Sequence, residues 1–553
     1  MVMTVEQYGR LQLCFDGDEG VEAVEYELPD GTTERGPVFA DQPIRLEYDE
    51  HGFETTHAQG APRLCTRYTP AAPGHYSWRA LRGGEALHSG EFDCVAGSHP
   101  GYVQVSSRDP RYFALSDGSS YVPIGLNIVD VTWHPLPGSM EHFVRSGQRA
   151  TCGMRTWRRW FRELSENGGN YARIWISRDY TDGRTETPGR HDLIPFAHLD
   201  AVVEEARSRG IRLKLCLDHF RHFDRPGHFA HKVLRDPDTG EALESVAQWL
   251  RSPRWRQLWL ADAQPYLARY WNDPVVFAWE LWNEMNAVDA PFDDVCDWTE
   301  HMLARIKAAS PRSLTANSLG SADEPKAYGQ HRRFQAMAHM DIDQVHRYLD
   351  QGAPLAVCRT DPVAFSVESV IMGSGRRPVI LTETGAVDDR HIGPFRFYDC
   401  DHDGLIFTDC TYPAFFAGAA GSGHIWHWNE YVERKNLWPL YRPLAQALRG
   451  VACDAEGFRT VDHSTDAAWV LGLEGRTCAL WFVRSKADRW DHVLRDGGSP
   501  AQAPGVAIPW AGAVQATAWG LCGEAAPPVD VQHGVVQVGA FTHGCVIRVQ
   551  KHT

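Results

Sequence analysis

The 553-residue chain is poor in the features that mark several protein classes. It has no run of about 18 uninterrupted apolar residues, so no membrane-spanning helix is expected. Its first residues, Met1-Val2-Met3-Thr4-Val5-Glu6-Gln7, lack a basic region followed by an apolar stretch, which argues against a secretory leader and for a cytoplasmic location. Basic blocks are missing too, and the formal charge is -16. Nucleic acid and anionic membranes are held by clustered Lys and Arg, so neither is expected as a partner. The thirteen cysteines are scattered, odd in number and never spaced Cys-x-x-Cys. Reduced, buried thiols are therefore expected, not a disulfide framework or a zinc site. What the chain has is 43% apolar residues and 20 Trp, enough for large cores in two or three domains. Indole faces can also stack on sugar rings, although most Trp fills core.

Three regions separate by pattern. Residues 1–97 hold short alternating runs broken by Gly, Pro and Asp, which read as an N-terminal β-sandwich. Residues 105–452 alternate short apolar runs with helical stretches. Eight candidate strands fall at 121–126, 171–176, 212–217, 275–282, 313–317, 344–348, 379–382 and 423–428, with helices between them at 199–209, 294–309 and 407–420. Eight strand-helix units over this length predict a (β/α)8 TIM barrel of the α/β class, with its chemistry at the strand ends. Residues 453–553 return to short strands and predict a C-terminal β domain that packs on the barrel.

Two carboxylates stand out at strand ends. Glu284 closes the run Trp279-Glu280-Leu281-Trp282-Asn283-Glu284 after the fourth candidate strand, and Glu383 closes Val379-Ile380-Leu381-Thr382-Glu383 at the seventh. Charges that follow buried strands are seldom idle. In a closed barrel both would face one cleft, and glycosidic-bond cleavage needs such a pair: one carboxyl to protonate the leaving oxygen, one to attack the anomeric carbon.

These motifs give the middle region a specific resemblance. It resembles the clan A glycoside hydrolases, closest to the broad family 5 group that includes cellulases and β-mannanases. The resemblance implies that Glu284 is the general acid/base, that Asn283 bonds the sugar 2-hydroxyl and that Glu383 is the nucleophile. His346-Arg347-Tyr348 is similar to the sixth-strand His-x-Tyr, whose His approaches the acid/base and whose Tyr supports the nucleophile. Arg173 is similar to the second-strand Arg that bonds the nucleophile, and Trp426 or Trp428 to the eighth-strand sugar platform. Five motifs occur in order. The residues support the same roles physically: a guanidinium and a phenol hydroxyl stabilise an ionised nucleophile, and an indole wall, assigned to Trp282, disfavours the charged form of the acid.

Other residues admit more than one reading. Glu280 shares strand parity with Glu284 and is expected to be a buried partner of an Arg or Lys. Asn127 at the first strand end could contact substrate or turn the chain. Asp218 and His219 end the third strand and open a segment with His222, His228 and His231; sugar contact is favoured over zinc, because no His-Glu-x-x-His accompanies them. The stretch from Asp399 to Gly404 mimics a calcium loop but would need a Glu where Cys410 stands, so a cleft loop through Asp403 is preferred. No cofactor and no metal are expected. The predicted function is a retaining β-glycosidase acting on oligosaccharides or small glycosides. The alternatives are a noncatalytic carbohydrate-binding barrel, a metal-dependent hydrolase and a transglycosidase using the same residues.

Overall fold

The computed structural model describes residues 3–16, 20–131, 152–176, 180–185, 187, 189–219, 235–236, 238–391 and 393–551. The middle region is built on parallel strands: β1 (Gly125–Asn127), β2 (Tyr171–Trp175), β3 (Arg212–Asp218), β4 (Val276–Trp282), β5 (Leu314–Ala316), β6 (Asp343–His346) and β7 (Val379–Glu383). β1 to β5 form one five-stranded sheet in chain order, and β6 pairs with β7. Every residue of β3 and β4 is buried. Strands covered on both faces read as near-continuous apolar runs, which is why they were legible. The period of two turns Lys214 and Cys216 to one face of β3 and Leu213, Leu215 and Leu217 to the other.

The ladder does not run round as one unbroken sheet. Isolated backbone hydrogen bonds span its gaps: Asp341 N to Thr315 O at 2.8 Å beside β5, and Ser422 N to Pro123 O at 3.1 Å and Asn127 N to Ile425 O at 3.0 Å beside β1. Residues 423–428, expected as an eighth strand, form no continuous strand but bridge Thr384 to Ile425 in parallel, with His424 N on Leu381 O at 3.0 Å and Trp426 N on Thr384 O at 2.9 Å. The Trp428 N–H donates to Trp426 O two residues back, a tight turn that ends the extended run before the π-helical turn Trp428–Glu433. The first candidate strand is also split. Ser120–Tyr121 pairs antiparallel with Phe113–Leu115, and Pro123, which has no N–H to donate, separates it from β1.

The expected helices are present with changed bounds. Leu193–Ser208 starts six residues earlier than its apolar pattern suggested because Asp192 caps it, accepting from Ile194 N at 3.0 Å. It ends before Gly210, which takes a left-handed φ of 67°. The stretch expected as one helix over 407–420 is two, Leu405–Thr411 and Pro413–Phe416, since Pro413 cannot donate to the preceding turn.

Residues before the parallel region form a five-stranded and a three-stranded sheet whose side chains, Leu13, Tyr26, Tyr68 and Phe92 among them, share one cluster with Trp271 of the middle region. Arg67 ties this part to the helix Leu193–Ser208 through a bidentate pair with Asp200 at 2.6 and 2.9 Å. After the parallel region, another five-stranded and another three-stranded sheet bury their own cluster around Trp481 and Ile547. Arg484 reaches back from these strands to Asp409 at 2.7 Å.

One expectation about the cysteines fails. Cys14 and Cys65, directly opposite each other on adjacent antiparallel strands, are joined in a disulfide. They lie 51 residues apart in sequence, so only strand register brings the two thiols together. The other eleven cysteines are free, most of them buried.

Candidate active site

Glu284 and Glu383 meet at the ends of β4 and β7, both buried. One oxygen from each and a ring nitrogen of His346 all lie within 4.8 Å of one another. His346 Nδ1 is 2.9 Å from Glu284 Oε1 and 3.4 Å from Glu383 Oε2. Glu284 owes its aim to an unusual backbone: its φ of 50° is left-handed, a conformation that costs a non-glycine residue on the order of 1–3 kcal/mol. Its N–H donates to Ser318 Oγ at 2.9 Å, and Met285 N donates to Ser318 O at 3.1 Å, so the residue after β5 fixes the turn after β4.

Glu383 sits among donors. Tyr348 donates its hydroxyl to Oε2 at 2.7 Å, and Arg173 Nη1 donates to Oε1. Burial and the adjoining carboxylate push the Tyr348 hydroxyl well above the usual phenol range, so it stays a donor. Arg173 is shared more widely than sequence reasoning expected. Its Nε and Nη2 form a two-pronged pair with Glu280 at 2.6 and 2.9 Å, Nη2 also reaches Asn283 Oδ1 at 2.8 Å, and Nη1 reaches Asn127 Oδ1 at 3.2 Å. Glu280 is thus the buried ion partner its parity suggested, with Lys214 Nζ at 3.2 Å as a second cation. Burial alone would raise the Glu280 pKa, but these two cations outweigh it and hold the carboxyl below its ordinary range. Burial lowers Lys214 to about 8, and Glu280 recovers only part of that loss.

The other predicted residues divide. Asn283 is buried, and its Nδ2 has no acceptor among the described residues, as a donor reserved for a ligand would. Asn127 does not reach the cleft. It is fully buried, with Nδ2 on the carbonyls of Thr382, His424 and Ile425 and Oδ1 on Arg173, so its amide ties β1 to the neighbouring chain. Trp426 is half-buried, tilted against Trp175 with ring centres 5.1 Å apart, and His219 stacks on the same Trp175 at 4.6 Å. Trp428 is fully buried against Trp160, so it cannot serve as a platform. Asp218 points instead to Arg184 at 3.1 Å and the Trp259 indole N–H at 3.0 Å, and burial raises its carboxyl to about 6. Trp282 packs against Trp249 and Trp298 of the surrounding helices.

His222, His228 and His231 lie outside the described residues. In the stretch from Asp399 to Gly404, Asp401 accepts from Leu405 N at 2.8 Å and Ile406 N at 3.0 Å and so caps a helix, while Asp399 pairs with Arg434. Asp403 is exposed. Glu284, His346 and Glu383 have donor atoms that suit a cation, but both oxygens of Glu383 already accept from Arg173 and Tyr348.

Sequence reasoning missed Ser318, which holds the Glu284 backbone, and Lys214, whose place between Leu213 and Leu215 in an apolar run was the available signal.

No family model matches the chain. Mannan endo-1,4-beta-mannosidase 4 of Oryza sativa subsp. japonica is 31% identical over 29% of this chain and 36% of that protein, so the match spans about a third of the relative's length. Mannan endo-1,4-beta-mannosidase 2 of the same plant is 27% identical over 61% of this chain and 78% of that protein. The chain is similar to family 5-like clan A glycoside hydrolases. A candidate glycoside hydrolase of Bacteroides vulgatus, known by crystal structure, superposes with a TM-score of 0.59 at 14% identity, covering 100% of both chains. That likeness concerns the fold alone.

Proposed function

We propose that this protein is a retaining β-glycosidase in which Glu383 attacks the anomeric carbon and Glu284 protonates the leaving oxygen. The observation that carries the reading is the close approach of the two carboxyls, with oxygens within 4.8 Å. Carboxyls about 5–5.5 Å apart suit direct attack and a covalent glycosyl-enzyme, whereas inversion needs about 6.5–9.5 Å to admit a water between them. The donors divide the roles. Arg173 and Tyr348 converge on Glu383 and hold it for attack, while Glu284 has His346 as its near neighbour. In the second half of the cycle Glu284 takes a proton from the water that releases the sugar. Asn283 Nδ2 donates to the 2-hydroxyl, and Trp426 carries the ring face.

The same proposal takes the middle region, 105–452, as a (β/α)8 barrel completed by residues 423–428, with 1–97 and 453–553 as separate β domains. β-Mannosides head the substrates, ahead of β-glucosides and β-galactosides, because the plant relatives are named as mannan endo-1,4-beta-mannosidases. The test is a panel of aryl β-glycosides with three proteins. Glu383→Gln abolishes turnover, while Glu284→Ala keeps slow cleavage of activated leaving groups, which need no acid to depart, and is accelerated by azide, which attacks the glycosyl-enzyme without a base and releases Glu383. Equal activity in all three would refute the assignment.

A further inference from the structure

Lys214 is a buried cation that the steps above leave unused. It stands on β3 between Leu213 and Leu215, fully buried, where an aliphatic side chain would avoid the cost of taking a charge out of water. Its Nζ donates to Gln344 Oε1 of β6 and lies 3.2 Å from Glu280 Oε2 of β4. That same oxygen accepts from Arg173 Nε at 2.6 Å. Two cations therefore meet on one oxygen of one carboxylate, and one of them is the guanidinium that also bonds Glu383.

This second cation changes the charge balance behind Glu383. Arg173 and Lys214 face Glu280 and Glu383, two charges of each sign, and no side chain of the four is more than 3% exposed, so water screens none of them. With Lys214 charged, Glu280 has a cation of its own, and Arg173 can divide its donors between Glu280 and Glu383. Without that charge one guanidinium must neutralise two carboxylates. Glu280 holds it by two bonds, through Nε and Nη2, and Glu383 by one, through Nη1. Bidentate pairs are the stronger, so the contact that orients Glu383 is the one weakened. Among the described residues, the other titratable groups around Lys214 are Cys216 on its own strand and His424 from the run 423–428. Burial keeps the first a neutral thiol and the second a neutral imidazole, so neither replaces the lost charge.

We infer that Lys214 is a positioning residue for the reaction: by pairing with Glu280 it leaves Arg173 free to hold Glu383 in line for attack. This rests on the glycosidase reading, because Lys214 acts only through the nucleophile. Misplacing a reacting group by about 1 Å can cost on the order of 100-fold in rate. Lys214 also gives the site an upper pH limit. Burial lowers its pKa to about 8, so the second cation is lost on mild alkalinisation.

The test follows kcat/KM against pH for an aryl β-glycoside with an activated leaving group. It uses the Glu284→Ala protein, in which no acid/base proton shapes the alkaline limb. Between about pH 7 and 9, either side of the Lys214 pKa of about 8, kcat/KM falls about tenfold or more. Glu284→Ala/Lys214→Met starts at the lower value and shows no such fall. Over the same range the denaturant midpoint of Glu284→Ala rises, because losing this proton relieves a buried charge, so activity and stability move in opposite directions. A residue with a structural role only would move them together. A level profile in Glu284→Ala, or an equal fall with Lys214 replaced, overturns the proposal. The first of these needs no substitution at Lys214, so it decides even where Lys214→Met does not fold. If the wild type cleaves no aryl glycoside at any pH, the catalytic reading itself has failed, and Lys214 has no reaction to serve.

Discussion

His346 spans the two carboxylates, its Nδ1 lying 2.9 Å from Glu284 Oε1 and 3.4 Å from Glu383 Oε2. A single imidazole therefore sets the spacing of groups that are 99 residues apart in the chain. The other partners of the pair are segregated: the Arg173 and Tyr348 donors on Glu383, the Ser318 hydroxyl on the backbone of Glu284.

Tyr348→Phe removes the hydroxyl that donates to Glu383 at 2.7 Å and leaves the ring that packs on His391. The loss of one hydrogen bond to a charged group, about 1.5–3 kcal/mol, lowers kcat roughly 10- to 150-fold. Steady-state kinetics with an aryl glycoside reads it, while thermal unfolding stays close to wild type.

Glu280→Gln leaves Arg173 and Lys214 buried with one anion fewer. Breaking a buried pair from one side costs about 3–5 kcal/mol, seen as a lower denaturant midpoint. The pH dependence has a definite sign. The folded carboxyl lies below its ordinary 4.5, so its contribution is complete above that value and is lost as pH falls below it. The variant should show a shallower loss of stability under acid than the wild type.

Lys214 supplies the alkaline counterpart. Its folded pKa, about 8, lies below its ordinary 10.5, so between those values the unfolded chain binds more protons. Stability gains from this residue as pH rises through that window. Subtracting unfolding curves of Lys214→Met from those of the wild type isolates the gain, and a flat difference would contradict it.

Two neighbouring indoles should respond differently. Trp426→Ala raises KM roughly 2- to 10-fold with little change in stability, as loss of a half-exposed stacking face implies. Trp428→Ala opens a void beside Trp160 and costs about 3–5 kcal/mol of stability. Kinetics and chemical denaturation on both variants distinguish the roles.

These paired outcomes also mark where sequence reasoning ended. Trp426 and Trp428 were indistinguishable by motif because both follow the same apolar run. Only the tight turn at Trp428 leaves one half-buried and sends the other into the core. Asn127 reads in sequence as a substrate contact or a chain turn, and the structure instead sets its amide on three carbonyls. Glu280 was legible, because period-two parity and a fully buried strand leave a carboxylate no solvent and force an ion partner.

The sequence by itself determined the parallel strands and the residues that close them, including Glu284, Glu383, Arg173, His346 and Tyr348. Continuous apolar runs and the charges that interrupt them are local properties of the chain. Tertiary structure alone decided the Cys14 to Cys65 disulfide, the sharing of Arg173 between Glu280 and Glu383, and the meeting of Asp323, Asp350 and His391. Each of these depends on strand register or on loops from different strands converging, and no spacing along the chain encodes that distance.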